Sequence, residues 1–478
     1  MPFRDLRGWL QEVEKIGQLS VAKGAHWNLE IGTITELVQV QPNRPAILFD
    51  DIPDYPPGYR VLTNSFGSTD RLAVTWGLPV GLPIKEFRKQ LRDKYKSLQP
   101  IKPVYVSDGP VMENVLTGDQ VDLFRFPAPM WHEEDGGRYI GTGSVDITVD
   151  PEEHWVNVGT YRVMVLDRNH TGFFIATGQH GRIHRDKYMA QNKPMPVAIS
   201  CGHDPAIFAA GGAEFPYGIS EYEYAGAIKG EPIEVIKGPV TGLPIPAHSE
   251  LVIEGFAMPG EARPEGPFGE WTGYYGSGSR TEPIIDVKAI YHRNNPIILG
   301  SPPGKPPTEH TLFMCIFRSM LIEDELAKAG VPDVTGVWTH EPGNAHLFLV
   351  VGIKQRYPGH AKQAAMVAAF CHTGNFHGRY IVVVDDDIDV TDLNEVLWAM
   401  CTRVDPIRDI DIIRDCRSTA LDPIIPVDEK GLATRAIINA CRPIQWIDKF
   451  PKVVGASPEL VEKTVAKWKD LIYGKMTR

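Results

Sequence analysis

Several features that would betray a function at once are missing from this chain of 478 residues. Its six cysteines (Cys201, Cys315, Cys371, Cys401, Cys416 and Cys441) are scattered, with no C-x-x-C pair and no zinc-like spacing, so reduced and mostly buried thiols are expected. No apolar run approaches the ~20 residues needed to span a bilayer. Positive charge is in deficit: 49 Lys and Arg stand against 60 Asp and Glu, a formal net charge of −11. That balance argues against general binding to nucleic acid or to an anionic membrane, while leaving room for a local basic pocket that takes a phosphate. There is no G-x-x-x-x-G-K-[ST], no G-x-G-x-x-G after a strand, no H-E-x-x-H and no G-x-S-x-G. Internal repeats and low-complexity tracts are absent too.

What is present is an ordinary globular composition, 43% hydrophobic and 23% charged, on a chain long enough for two or three domains. Phe3, Leu6, Trp9, Leu10, Val13 and Ile16 repeat at helical spacing among charges, which reads as an amphipathic helix and not a signal or transit peptide. A cytoplasmic protein is expected. Residues 1–110 read as a small α/β unit, with helices near Glu30–Val40 and Ile84–Ser97 and a strand at Ala46–Phe49. Residues 111–300 change texture to short β-rich runs between Gly/Pro turns: Tyr139–Val149, Trp155–Leu166, Gly172–Thr177, Pro196–Cys201, Glu250–Phe256 and Ile284–His292. A short helix, Glu221–Lys229, interrupts them. The turn-rich Gly300–Pro307 is the best candidate boundary or hinge. In residues 301–478 helices (Leu312–Gly330, His360–Cys371, Leu393–Thr402) alternate with strands (Ala345–Ile353, Tyr380–Val384), which predicts a mainly parallel sheet. Pro458–Tyr473 closes the chain as an amphipathic helix.

The stretch around which the chain is organised is Glu265-Gly-Pro-Phe-Gly-Glu270, running on into Trp271-Thr-Gly-Tyr-Tyr275. Proline removes a donor and glycine opens turns closed to other residues, so this reads as a shaped turn able to aim two carboxylates at one point. Paired carboxylates suit acid–base chemistry, because neighbours and burial push their pKa values apart. The same residues taken alone also fit an exposed loop with two ordinary acids. Asn157-Val-Gly-Thr-Tyr-Arg162 and Gln179-His180 place an amide, a guanidinium and an imidazole on what read as two strands joined by a turn at Asp167–Gly172. If those strands pair, the three groups reach one cavity; otherwise His180 is a satisfied histidine and Arg162 a surface residue. Asp385-Asp-Asp387 ends a strand and suits either a divalent cation or the approach to a helix N-cap.

Taken together and in order, Asn157…Tyr161-Arg162, Gln179-His180, Ser220-Glu221-Tyr222…Ala225-Gly-Ala, Glu265-Gly-Pro-Phe-Gly-Glu270…Thr272-Gly-Tyr-Tyr275, Tyr357-Pro-Gly-His-Ala-Lys362 and Val383-Val-Asp-Asp-Asp387…Thr402-Arg-Val-Asp-Pro406 resemble the UbiD family. The resemblance spans nearly the whole chain. It implies an N-terminal α/β domain, a central split β-barrel that binds flavin and a C-terminal α/β domain whose last helix serves oligomerisation. It also implies a reversible, non-oxidative decarboxylase of an aromatic, heteroaromatic or α,β-unsaturated acid. The implied cofactor is prenylated FMN, supplied by a separate flavin prenyltransferase, with a divalent ion, usually manganese, and potassium beside it.

Carried over by position, the resemblance makes Arg162, Glu265 and Glu270 the catalytic network, with Glu270 the proton donor. It makes Asn157, His180 and Glu221, in preference to the nearby Glu223, the metal ligands. Cofactor contacts fall on Asn157, Val158, Gly159, Thr160, Tyr161, Arg162, Gln179, His180, Glu221 and Arg379. The pocket walls fall at His310–Cys315 and Leu421–Pro426, with His310, Cys315, Ile424 and Ile425 as the substrate contacts. The expected partners are a small aromatic acid and CO2, and a second copy of the chain in a homodimer or homohexamer. Two alternatives stay open: a decarboxylase of a prenylated hydroxybenzoate in quinone biosynthesis, and a flavin-binding module without turnover. Intact Arg162, Glu265 and Glu270 count against the second.

Overall fold

The structure is a computed structural model. It describes residues 3–473 except 214, 216, 277, 376, 420 and 427–430. Asp5 opens the first helix, Leu6–Lys15, by accepting the Gly8 N–H, and the helix buries Leu6, Trp9, Leu10 and Val13. It packs beside a four-stranded sheet ordered Leu19–Lys23, Ala46–Asp50, Arg60–Thr63 and Ile297–Gly300. The last of these strands runs parallel to Arg60–Thr63. The chain therefore returns to its N-terminal sheet just before the proline-rich stretch at 300–307.

A nine-stranded sheet forms the centre. Its main path is Arg138–Gly141, Arg162–Val165, His170–Phe174, Arg280–His292, Leu251–Glu265, Met195–Cys201, Val145–Val149 and Val156–Gly159, with Asn114–Thr117 beside Arg280–His292. Two of the β-rich runs read from sequence, Tyr139–Val149 and Trp155–Leu166, each prove to be a pair of strands. The members of each pair stand six strand spacings apart in the path, ~29 Å on a flat sheet at ~4.8 Å each. Their links, Thr142–Ser144 and Thr160–Tyr161, reach no more than ~14 Å. Only a sheet curled towards closure accommodates both, and the result is a half-barrel.

Five strands make the C-terminal sheet, ordered Val334–Thr339, Phe348–Ile353, Tyr380–Asp385, Leu432–Ala440 and Ile410–Arg417, with helices Thr311–Lys328, His360–Phe370 and Leu393–Arg403. The three middle strands are parallel, but both edge strands are antiparallel to their neighbours, so the sheet is mixed and not mainly parallel. The short link at 340–347 has no room for a crossover helix and forces the first pair antiparallel. The Asp385–Asp387 run is accounted for by arginines: Asp385 pairs with Arg403 at 3.2 Å and Arg442 at 3.0 Å, and Asp387 with Arg403 at 2.8 Å. Asp392 caps the following helix by accepting from Asn394 and Glu395 N–H groups. Among the described residues no cluster of three His, Cys, Asp or Glu side chains is placed to hold a metal, and no helix is long and apolar enough to cross a membrane. All six cysteines are free thiols. Pro458–Ile472 forms a helix that buries none of its residues.

Candidate active site

Glu265 is the last residue of the long strand Leu251–Glu265, opposite Arg280, and the turn begins only at Gly266. The sequence reading ended this strand at Phe256, because Pro259 and Gly260 interrupt it. The register shift between Ala257 and Ala262 absorbs the interruption and lets the strand resume. Gly266 has φ +80, a conformation that a residue with a Cβ rarely adopts. Gly136 lies so close that a Cβ there would sit 2.1 Å from the Gly266 carbonyl oxygen. The turn closes through Glu270, whose N–H donates to the Tyr274 carbonyl at 2.9 Å.

Arg162 starts the strand Arg162–Val165 and stands between the two acids. Its Nη2 donates to Glu265 Oε2 at 2.6 Å and its Nη1 to Glu270 Oε1 at 3.2 Å. The guanidinium stacks 4.3 Å from the Phe174 ring centroid. Glu265 is fully buried, and its second oxygen accepts the Tyr139 hydroxyl at 3.0 Å. Tyr139 in turn stacks on Phe268 with centroids 3.9 Å apart. On the neighbouring strand, Gly172 leaves room for the acid, since a Cβ there would fall 2.9 Å from Glu265 Cγ. Burial works against the Arg162 charge, but attraction to Glu265 and Glu270 outweighs it and holds the guanidinium above its ordinary range. Burial and the adjacent Glu265 raise the Tyr139 hydroxyl, which stays a neutral donor.

A cavity of about 300 Å³ opens on this network. Arg162 and Glu270 form part of its wall, whereas Glu265 stands behind them. Thr160, Tyr161, Gln179 and His310 also line it, together with the apolar Phe174, Phe268, Trp271, Pro302, Pro303 and Met314. Burial pushes the His310 imidazole down to about 4, leaving it neutral near pH 7. Four residues assigned by position lie elsewhere. Cys315 faces the core of its helix, where its neighbour Met314 faces the cavity. Ile424 is 70% exposed and Ile425 is buried, and neither lines the cavity. Arg379 is turned onto the Asp422 carboxylate and ties that loop to the C-terminal sheet. Leu421, on the same loop, brings its carbonyl to Gly276, where a Cβ would lie 2.7 Å from the oxygen.

Asn157, His180 and Glu221 come from three elements. Contrary to the two-strand reading, Asn157 lies on Val156–Gly159, paired with Val145–Val149, while His180 opens the helix His180–Ala190. The hairpin at Asp167–His170 instead joins Arg162–Val165 to His170–Phe174. The run Thr-Gly-Gln before His180 lets a helix start where alternation had suggested a strand. Tyr161 links two of the three elements: its hydroxyl accepts the Asn157 amide at 3.1 Å and the Gly181 N–H at 3.0 Å. Glu221, at the start of Glu221–Lys229, accepts the Val158 N–H at 2.6 Å, next to Asn157. The His180 ring packs edge-on against Trp155 and Tyr217, with centroids 5.3 and 5.4 Å away. Burial pushes the Glu221 carboxyl up to about 7 and lowers the His180 imidazole.

Comparison with known proteins fits this geometry into a family. Residues 10–91, 102–306 and 311–440 match the N-terminal, Rift-related and C-terminal domain models of UbiD, described as 3-octaprenyl-4-hydroxybenzoate carboxy-lyase. The chain belongs to the UbiD family. It is 34% identical to the pyrrole-2-carboxylic acid decarboxylase of Pseudomonas aeruginosa, over 98% of each chain. Among solved structures it resembles the open form of the vanillic acid decarboxylase of Sedimentibacter hydroxybenzoicus, with a TM-score of 0.85, 32% identity and coverage of 99% of this chain and 100% of that one. It also resembles the UbiD-class enzyme HmfF of Pelotomaculum thermopropionicum in complex with FMN, with a TM-score of 0.85, 27% identity and coverage of 97% and 100%. An evolved dimeric form of that enzyme was solved with prFMN.

Within this UbiD-family chain, the sequence reading did not single out Tyr139, Phe174, Asn344 or His346, all of which touch the acid network or the cavity wall. Tyr139 sits in an ordinary strand pattern and reaches Glu265 only through the curl of the sheet, while Phe174 meets Arg162 as its partner on the adjacent strand, a register that local sequence does not mark. Asn344 and His346 come from a different domain in a short loop without a motif. Nothing local in the sequence marks them.

Proposed function

We propose that this protein is a prenylated-FMN-dependent, reversible and non-oxidative decarboxylase of a small aromatic or heteroaromatic acid. The observation that carries this reading is Arg162 held between a buried Glu265 and a cavity-facing Glu270. Glu265 keeps the guanidinium in place from behind, and Arg162 orients the substrate carboxylate. Glu270 then delivers its proton to the ring carbon that has lost CO2, and accepts one in the reverse direction. A placed acid of this kind contributes ~10²–10⁴-fold in rate. Phe174, Phe268 and Tyr139 keep water from the pair.

The residues fit the cofactor the family implies. Asn157 spends its amide N–H groups on the Thr148 and Tyr161 hydroxyls, leaving its oxygen as a ligand. Glu221 is a buried carboxylate with a backbone donor, and His180 is held neutral, the state a metal requires. This oxygen/nitrogen set suits Mn²⁺ or another borderline divalent ion, with K⁺ alongside, to hold the flavin phosphate. When bound, prenylated FMN supplies the electron sink that no side chain here offers. Val158, Gly159, Thr160, Tyr161 and Gln179 would contact it. Arg379, turned onto Asp422, is the weakest of the assigned contacts.

With domains at 1–110, 111–300 and 301–478, apart from Ile297–Gly300, which returns to the N-terminal sheet, the site would lie on the central domain and be covered by the third. The exposed terminal helix supports self-association into a homodimer or hexamer, and the cofactor implies a flavin prenyltransferase as supplier in the cytoplasm. The cavity of about 300 Å³, with Phe174, Phe268 and Trp271 in its wall, favours a small flat ring acid over a prenylated hydroxybenzoate. The test is co-expression with a flavin prenyltransferase, mass spectrometry of the released flavin, and a screen of ring acids, pyrrole-2-carboxylate and vanillate among them, for CO2 release. Absence of CO2 from protein loaded with the modified flavin overturns the proposal.

A further inference from the structure

The turn that carries Glu270 belongs to the central domain, yet the residue after it is gripped by the C-terminal one. The Asn344 side-chain amide donates to the Trp271 carbonyl. The Trp271 ring packs against the tilted His346 and His377 rings, with centroids 4.9 and 4.8 Å away. The Asn344 amide is oriented by its own neighbours. The Thr308 N–H donates to Thr311 Oγ1 at 2.8 Å, and that hydroxyl donates to Asn344 Oδ1 at 3.2 Å, so the Nδ2 end must face Trp271. Arg318, buried in its helix, fastens the two loops that form the grip. Its Nε donates to the Ala345 carbonyl at 3.0 Å and its Nη2 to the Thr373 carbonyl at 2.8 Å.

The backbone of the grip is itself unusual. Asn344, Ala345 and His377 have φ of 46, 60 and 70, in the left-handed region that non-glycine residues seldom occupy. Such conformations persist only where surrounding structure over-determines them, and they gather where geometry matters. Here their effect is to place an amide and two imidazoles against one tryptophan. Burial, aided by the Arg318 charge, keeps both imidazoles neutral, so they meet the ring as aromatic surfaces.

We propose that Asn344 and His377 are positioning residues for Glu270, acting through Trp271. The inference rests on the reading of Glu270 as the proton donor. Within the central domain the turn is held by the Glu270 N–H on the Tyr274 carbonyl at 2.9 Å and by Arg162 on the Glu270 carboxylate at 3.2 Å, and Asn344 adds a hold on the next residue from the C-terminal domain. Displacing a reacting group by about 1 Å costs on the order of 10²-fold in rate. Loss of the grip therefore lowers the proton-transfer step.

The experiment uses flavin-loaded full-length protein. Asn344→Asp keeps size and tolerance for positive φ but turns an acceptor on the Trp271 carbonyl. His377→Asn keeps the backbone conformation and removes the ring. Both are expected to lower kcat about 10- to 100-fold and to lower hydrogen–deuterium exchange at the product carbon in step; in His377→Asn, whose ring is not part of the cavity wall, flavin stoichiometry and KM should stay within twofold of wild type. In a Trp271→Ala background, His377→Asn should add no further loss, because the ring it acts through is gone. Wild-type kcat and exchange in both loaded variants overturns the grip alone. So does a full additional loss in the Trp271→Ala background. A loaded wild-type enzyme that turns over no ring acid overturns the reading of Glu270, and this inference with it.

Discussion

Replacing Glu270 by glutamine tests the centre of the site with the least change of shape. The amide oxygen can still accept from Arg162 Nη1, now 3.2 Å from Glu270 Oε1, so the turn should keep its conformation. Arg162 keeps its shorter contact with Glu265 at 2.6 Å, so no buried charge is stranded. The ~3–5 kcal/mol cost of breaking a buried pair therefore does not apply. At most one charge-assisted hydrogen bond is exchanged for a neutral one, ~1–1.5 kcal/mol from the ranges for the two kinds of bond. In a chain of this size that amounts to a shift in Tm of only about 1–2 °C. The rate should respond on a different scale. Without a titratable proton, turnover is expected to fall at least ~10²-fold, equivalent to ~2.7 kcal/mol of barrier. Glu265→Gln is the control: it disturbs Arg162 and Tyr139 and impairs turnover, but leaves the donor in place and need not abolish exchange. The assay is CO2 release, hydrogen–deuterium exchange at the product carbon and flavin occupancy measured on the same preparations. Near-wild-type turnover and exchange in fully loaded Glu270→Gln would remove Glu270 from the mechanism.

Two further outcomes follow from the same geometry. His180→Ala should lose metal and flavin together, because ion and phosphate neutralise one another in one site; elemental analysis and flavin absorbance read both, and full retention of either contradicts the assignment. His310, pushed down to about 4 by burial, should not titrate between pH 5 and 8, so KM for a ring acid should show no inflection near 6.5 that His310→Gln removes. For the folded chain the sign is that of a depressed base: protonation favours the unfolded state, and stability drains as pH falls from ~6.5 towards 4.

The sequence yielded most where chemistry and backbone coincide. Glu265 and Glu270 stand out because Gly266 and Pro267 bend the chain between them, and a bend that strict is written in residue types. Helices such as Leu6–Lys15 and Ile84–Ser97 were legible from periodicity alone, since one face of each is buried. Where the reading went astray, a long-range demand had overruled a local one. Tyr139–Val149 has an unbroken strand pattern, yet the chain leaves one end of the half-barrel at Gly141 and re-enters it six strands away at Val145. His180 opens a helix although its neighbourhood alternates, and Tyr161, on the link between two strands of the central sheet, takes the Gly181 N–H.

The same distinction explains the division of labour between the two acidic sites. Glu221 hangs on the Val158 N–H within the central domain, so the place where metal and phosphate would bind is set by that domain alone. Glu270 is different: Arg162 holds it from the barrel side, while Asn344, His346 and His377 hold the next residue from the C-terminal domain. A displacement between the two domains leaves Asn157, His180 and Glu221 undisturbed and moves Glu270 relative to Arg162. On the proposed roles, metal binding and proton transfer would answer to different parts of the fold. Substitutions at the domain boundary should for that reason appear in kcat before they appear in flavin content.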